Sequence, residues 1–407
     1  MIKWLVPRGD LSEDQLRAVK LPIDSNKIII GAPGSGKTLI LAHRASYLLN
    51  EKKVNKDKLA IFVFTNSLKE YIKSGIIELD VPESCVSTFD SWCWKFYKDK
   101  ISKNHPKNKG YPDYDLIKEE ILDYLISKNN KFIFDVVLVD EGQDLNTVSY
   151  KILKIISNHL TVCFDKKQKI YNVNTSPQEV SKILDVTNIS VNILSAFRCS
   201  PFIVDLAAEF IEDENEKEIF KNQNKRKNIT RETPLLYIAK DYIDERENLN
   251  KILRSRIHQD ENIGILLFQS RSVFGLGKSL IEDGIDIEFS KKFNEDIDLS
   301  SNKPKVMTYH KAKGLTFDTI LMPSLTRNSF SGRSDSEIVR LLFVGISRAV
   351  KWVYLSSTHN SSLPVLKRMM NLQKQNKLTL SEYDNLFNQN INKVELEYDR
   401  EDEIDLL

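Results

Sequence analysis

Long apolar runs are missing from this 407-residue chain. No stretch approaches the roughly 20 residues that a membrane helix needs, and Met1 to Asp10 lacks the apolar core of a secretory signal. These absences predict a cytoplasmic protein with no membrane partner. Cysteine is scarce: Cys85, Cys93, Cys163 and Cys199 form no Cys-x-x-Cys pair and accompany no histidine cluster. Neither a zinc site nor a disulfide framework is expected, and the thiols should be reduced and mostly buried. Glycine (14) and proline (12) are too few for a collagen-like or low-complexity chain, and no internal repeat stands out. With 41% apolar and 29% charged residues, the composition is that of a globular protein of two or three domains.

The net charge of +2 conceals an asymmetry. In the last thirteen residues Glu395, Glu397, Asp399, Glu401, Asp402, Glu403 and Asp405 face only Arg400, so residues 1 to 394 carry +8. That surplus suits an anionic partner without identifying one. The acidic tail reads either as solvating sequence or, because Ile404, Leu406 and Leu407 are mixed into it, as a dock for a basic partner surface. Lys98, Lys100, Lys103, Lys107 and Lys109 read similarly, as phosphate contacts or as a solvated loop.

Short apolar strands alternate with helical stretches, which predicts an α/β fold with parallel sheets. The expected strands are 27–30, 59–64, 86–88, 134–139 and 161–164, then 235–239, 263–268, 285–289, 305–309, 319–322 and 352–356. Helices are expected over 39–50 and 115–127, and two similar-sized domains should join near 185–195.

Gly31-Ala32-Pro33-Gly34-Ser35-Gly36-Lys37-Thr38 fits G-x-x-x-x-G-K-[ST] between a strand and a helix. Glycines let backbone N–H groups turn onto a phosphate, the helix N-terminus adds its dipole, Lys37 adds a point charge, and Thr38 offers a hydroxyl to Mg²⁺. The ligand class is a nucleoside triphosphate. No Asn-Lys-x-Asp motif is present to read guanine. Val136-Val137-Leu138-Val139-Asp140-Glu141 puts two acids at a strand end, with Asp140 as the expected metal ligand and Glu141 placed to deprotonate an attacking water.

At Asp140-Glu141-Gly142-Gln143-Asp144 the sequence resembles the DExQD box of superfamily 1 helicases of the UvrD, Rep and PcrA type, and the remaining motifs follow in order. Residues 11–15 resemble the motif in which a glutamine, here Gln15, reads adenine. Phe64-Thr65-Asn66 and Ser87 to Ser91 resemble the motifs that hold single-stranded DNA, and Phe164 to Tyr171 the third motif, with Gln168 sensing the γ-phosphate. Residues 196–200, 307–317 and 342–349 resemble the fourth, fifth and sixth motifs.

The resemblance implies two tandem RecA-like domains with reduced accessory insertions. Residues 1–188 would form the first, with 98–131 as a reduced helical insertion; 189–390 would form the second, and 391–407 the tail. ATP and Mg²⁺ would lie between the domains. Lys37, Asp140, Glu141, Gln168 and the arginines Arg198 and Arg348 would be catalytic, with Phe197 stacking on adenine, Gly314 beside the nucleotide, and Thr38 and Asp140 holding the metal. DNA contacts would come from Phe64, Thr65, Asn66, Thr88, Phe89, Tyr171, Thr308 and His310. The implied activity is 3′ to 5′ movement on single-stranded or partly duplex DNA.

Compactness is similar to the helicase subunit of Gabija-type phage defence, which implies an OLD/TOPRIM-type nuclease partner. Departures from the family pattern are Leu39 for an adenine-stacking arginine, Thr316 for a ribose-holding carboxylate, Val173 for a base-stacking aromatic and Asp90 for a histidine. They leave a second function in view, a DNA-sensing ATPase switch that controls a nuclease without unwinding. An inactive scaffold is disfavoured, since Lys37, Thr38, Asp140, Glu141, Gln168, Arg198 and Arg348 are all present.

Overall fold

The computed structural model describes residues 5–31, 35–108, 110–129, 132–164, 175, 177–187, 190–193, 199–223, 232–290, 297–299 and 301–383. Among the sequence-expected site residues, Ala32, Pro33, Gly34, Gln168, Tyr171, Phe197 and Arg198 lie outside this set, as do Lys109, Val173 and the acidic tail.

Helix α1 (Glu13–Val19) begins at a capping box between Ser12 and Gln15. Strand β1 (Lys27–Gly31) leads to α2 (Lys37–Asn50), β2 (Leu59–Val63) to α3 (Asn66–Ile76), and β3 (Val86–Thr88) to α4 (Phe89–Lys100). A short ribbon, β4 (Lys107–Asn108) against β5 (Tyr111–Pro112), precedes α5 (Tyr114–Ser127). Then follow β6 (Phe134–Val139), α6 (Thr147–Ile156), β7 (Ser157–Phe164), α7 (Pro177–Ile183) and β8 (Val191–Ile193). Apart from the ribbon, these strands form one parallel sheet in the order β3-β2-β6-β7-β1-β8. Its apolar strands are buried on both faces, as helix-covered parallel strands must be.

The first sheet runs past the expected boundary at 188, because β8 pairs with β1 at its edge. Val191-Asn192-Ile193 has a polar residue at its centre, so no continuous apolar run marks it. The chain then builds α8 (Pro201–Ala208), α9 (Glu214–Gln223), β9 (Leu235–Ala239), α10 (Tyr242–His258), β10 (Ile263–Leu267) and α11 (Ser270–Glu282). It finishes with β11 (Glu288–Phe289), β12 (Lys305–Thr308), β13 (Phe317–Met322), α12 (Asp335–Ile346), β14 (Ala349–Thr358), α13 (Met370–Lys374) and β15 (Thr379–Glu382). The second sheet is also parallel, in the order β11-β12-β10-β13-β14-β9-β15.

One apolar cluster crosses from domain to domain, joining Ile29, Leu68 and Ile193 to Met307, Leu315 and Leu342. The far face of the first sheet packs on α4 to α7, and that of the second on α10 and α11. All four cysteines are buried, and no helix among the described residues is long and apolar enough to cross a membrane.

A buried arginine locks the nucleotide-loop helix into this frame. Arg44 of α2, fully buried, donates to the carbonyls of Val19 (3.0 Å) and Leu21 (2.7 Å) and to Thr161 Oγ1 of β7 (3.1 Å). Its remaining nitrogen meets His159 Nε2 at 3.2 Å. Burial, helped by Arg44 and Lys27, pushes His159 down to about 3, so the ring stays neutral. Below pH 6.5 the unfolded chain binds a proton that the folded ring refuses. His159 therefore supports stability fully above pH 6.5 and loses that contribution as the pH falls toward 3. The stability gap between wild type and His159→Gln should narrow by about 2 kcal/mol between pH 7.5 and 5. Urea denaturation at the two pH values measures it, and a constant gap would contradict the neutral-ring assignment.

Candidate functional site

The site grows from the carboxyl edge of the first sheet. Strand β1 delivers the loop that ends at Gly36, whose φ of +81° turns the chain into α2. A Cβ there would also lie 2.8 Å from Gln15 Nε2 and displace that amide, but it is the positive φ that calls for glycine. Gln15 is buried, accepts from Ser12 N and donates Nε2 to Ser35 O at 3.0 Å, clamping α1 to the loop. Ser35 Oγ is buried without a hydrogen-bond partner, a polar group awaiting an oxygen-rich ligand. Lys37 Nζ donates to Gly31 O at 3.1 Å.

Because β7 lies between β1 and β6 in the sheet, the loop and the acids after β6 stand a strand apart across a shallow gap. Thr38 bridges it, donating its hydroxyl to Asp140 Oδ2 at 2.6 Å. A hydroxyl and a carboxylate so paired form an oxygen set that suits Mg²⁺. Asp140 Oδ1 accepts from Glu141 N at 2.9 Å. Burial, then the neighbouring Glu141, raises the Asp140 carboxyl above its ordinary value against the pull of Thr38 and Lys37. Glu141 behaves oppositely: burial opposes its charge, but Lys313, Lys37, Arg348 and the Gln143 amide outweigh that and hold it ionised.

Glu141 occupies left-handed backbone, φ +51°, uncommon for a side-chain-bearing residue and typical of strained functional turns. Gly142 makes that turn fit. A Cβ there would lie 2.4 Å from Val162 Cγ1 and 2.7 Å from the Tyr150 hydroxyl, which donates to Gly142 O at 2.6 Å.

Among the described residues, the second domain brings Lys313 and Arg348 to the site. Lys313, on the loop after β12, forms a buried ion pair with Asp144 and lies 6.0 Å from the Phe64 ring centre. Beside it Gly314 packs on Leu68 of α3, where an added Cβ would sit 3.0 Å from both Leu68 methyls. Arg348, 5% exposed, donates to Val344 O (3.1 Å), Leu315 O (3.4 Å) and Ser347 Oγ (3.1 Å). Sequence reading missed Lys313 and Gly142, although both fall inside quoted motifs; their roles depend on partners distant in sequence.

The nucleic-acid candidates divide. Thr65 and Thr88 cap α3 and α4, accepting from Leu68 N and Ser91 N at 3.1 Å each, while Asn66 is exposed. Phe89 is 2% exposed, 5.4 Å edge-on to Phe62 and stacked at 6.0 Å on Trp92, so it is core packing with no free face for a base. Thr308 Oγ1 accepts from Lys311 N at 3.3 Å. His310 is half-buried in a cleft of about 40 Å³ shared with Phe268, Arg333 and Arg340. Burial, then Arg333 and Lys313, pushes its ring down. Phe268, with Arg333 5.2 Å over its ring, was not expected; its place just after a buried strand was the available signal.

Two departures have local explanations. Leu39 is 3% exposed in the core, and Asp90 pairs with Lys118 of α5 at 2.7 Å, pinning α5 to α4. Lys98, Lys100, Lys103 and Lys107 are exposed.

Comparison with known proteins finds matches in both domains. The UvrD/REP helicase N-terminal domain matches residues 11–132 and 114–188, and the UvrD-like helicase C-terminal domain matches 290–360. A probable DNA helicase of Mycoplasma pneumoniae is 21% identical, covering 85% of this chain and 83% of its own length. A probable DNA helicase II homologue of Mycoplasma capricolum is 24% identical over 54% of this chain, which spans 44% of that relative. The ATP-dependent DNA helicase PcrA of Staphylococcus epidermidis is 37% identical over a shorter stretch, 21% of this chain and 12% of its own. With the two domain matches together covering more than half of the chain, the chain belongs to the UvrD-like helicase family.

Proposed function

We propose that the chain is an ATP-dependent DNA motor that hydrolyses ATP between its two domains and moves along single-stranded DNA. The observation that carries this reading is the convergence of Lys37, Thr38, Asp140 and Glu141 on one sheet edge, with Lys313 and Arg348 arriving from the other domain. The loop and Lys37 would hold the triphosphate, with Ser35 Oγ as a further donor. Thr38 and Asp140 would hold Mg²⁺, which neutralises phosphate charge when bound. Glu141, kept ionised, accepts a proton from the attacking water. Arg348, which already helps hold Glu141 ionised from the second domain, would act on the γ-phosphate. Family resemblance carries the direction, 3′ to 5′.

A second reading, a DNA-sensing ATPase that governs an OLD/TOPRIM-type nuclease in a phage-defence complex, is favoured by the short β4–β5 ribbon and the short link from Phe289 to Lys305. Strand displacement separates the two, since a sensor hydrolyses ATP without releasing a strand.

Steady-state hydrolysis with and without oligo(dT) tests the motor. Stimulation by DNA is expected, with Glu141→Gln reducing the rate about 10²-fold or more while retaining ATP binding, and Lys37→Ala impairing both. Folded wild-type protein without hydrolysis under either condition would refute it.

The interdomain pair gives a second expectation. Removing one partner of a buried ion pair costs about 3–5 kcal/mol, because the other charge stays buried without its counter-ion. Asp144→Asn combined with Lys313→Met should therefore destabilise less than the two single changes added together, by about 0.5–3 kcal/mol. Additive effects in thermal denaturation would show that the pair does not form.

A further inference from the structure

Tyr150 of α6 is a fully buried phenol that reaches back to the turn carrying Glu141. Its hydroxyl donates at 2.6 Å to Gly142 O, the carbonyl next after that of Glu141. Glu141 stands in left-handed backbone, which a side-chain-bearing residue keeps only where its surroundings enforce it. Asp144 N donates to Glu141 O at 3.0 Å and Leu145 N to Gly142 O at 3.2 Å, both from within the turn, whereas Tyr150 acts on it from a helix outside. The fit is close: a Cβ on Gly142 would lie 2.7 Å from the Tyr150 hydroxyl.

That helix is a firm support. Asn146 caps it, its Oδ1 accepting from Ser149 N at 2.9 Å and from Ser149 Oγ at 2.7 Å, and Ile152, Leu153 and Ile156 bury it in the first domain's core. The Tyr150 ring also stacks on Phe164, with ring centres 6.3 Å and planes 10° apart. Phe164 ends β7, the strand between β6 with its acids and β1 with its loop. It is in register with Ile30 of β1, the residue before Gly31, where the nucleotide loop begins. One side chain thus ties the turn of Glu141 to the strands that carry the loop.

We infer that Tyr150 is a positioning residue for hydrolysis, its hydroxyl holding Gly142 O so that the Glu141 carboxylate keeps a fixed place relative to the nucleotide loop. The inference rests on the reading above that Glu141 accepts the proton of the attacking water. A base acts only within hydrogen-bond reach of that proton, and a displacement of about 1 Å can cost about 10²-fold in rate.

Tyr150→Phe isolates the hydroxyl. The ring keeps its stack on Phe164, and Gly142 O keeps Leu145 N, so no acceptor is orphaned by the change. ATP cleavage is measured on the full chain in single turnovers with saturating oligo(dT). Tyr150→Phe should slow cleavage at saturating ATP by about tenfold or more, with the half-saturating ATP concentration and the thermal midpoint close to wild type. A tyrosine that only supports the fold would instead lower the midpoint and leave the rate per folded molecule unchanged. The same substitution is then made in Glu141→Gln. Residues that act as a unit are non-additive, so the second change should add little once the base is gone. Equal fold losses in the two backgrounds overturn the inference, as does a Tyr150→Phe rate equal to that of an active wild type. Folded wild type that cleaves no ATP with or without DNA refutes the motor reading, and this inference with it.

Discussion

Negative charge buried at the end of β6 is the constraint on which the rest depends. Asp140, Glu141 and Asp144 are each 5% exposed or less and stand within five residues. Carboxylates so placed need counter-charge, or they take up protons and lose their chemistry. The first domain supplies Lys37, and the second supplies Lys313 and Arg348. Association of the two domains is therefore partly an answer to an electrostatic problem posed by the first.

This explains the surrounding packing. The turn that carries Glu141 sits in left-handed backbone and is held by a glycine pressed on β7 and by the Tyr150 hydroxyl. The helix that carries Lys37 and Thr38 is fixed from behind by Arg44, and the loop before it by Gln15. The groups that would meet phosphate are held in rigid frames, while the cations from the second domain sit on a loop and at a helix end, where movement is cheaper.

Much of this was legible in the sequence. Strands 134–139 and 235–239 follow from their apolar runs, Val136 to Val139 in the first and Leu235 to Ala239 in the second, and both agree with the structure residue for residue. The nucleotide loop and the acid pair were readable because their spacing is local. β8 and β15 were not: Val191–Ile193 is interrupted by Asn192, and Thr379–Glu382 is polar and pairs with β9. Arg44 and Lys313 were invisible as functional supports, since their partners lie 117 and 169 residues away. Phe89 shows the opposite limit. An aromatic inside a motif reads as a stacking platform until its burial is known.

The central claim is that Lys313 holds the domains together across the buried acids. Since Cys85, Cys93, Cys163 and Cys199 are buried, dyes on cysteines introduced at exposed Glu78 and Glu282 report the interdomain distance by single-molecule energy transfer. A narrow distribution in wild type that broadens and lengthens in Lys313→Ala is the predicted result. Identical distributions in the two proteins would contradict the account.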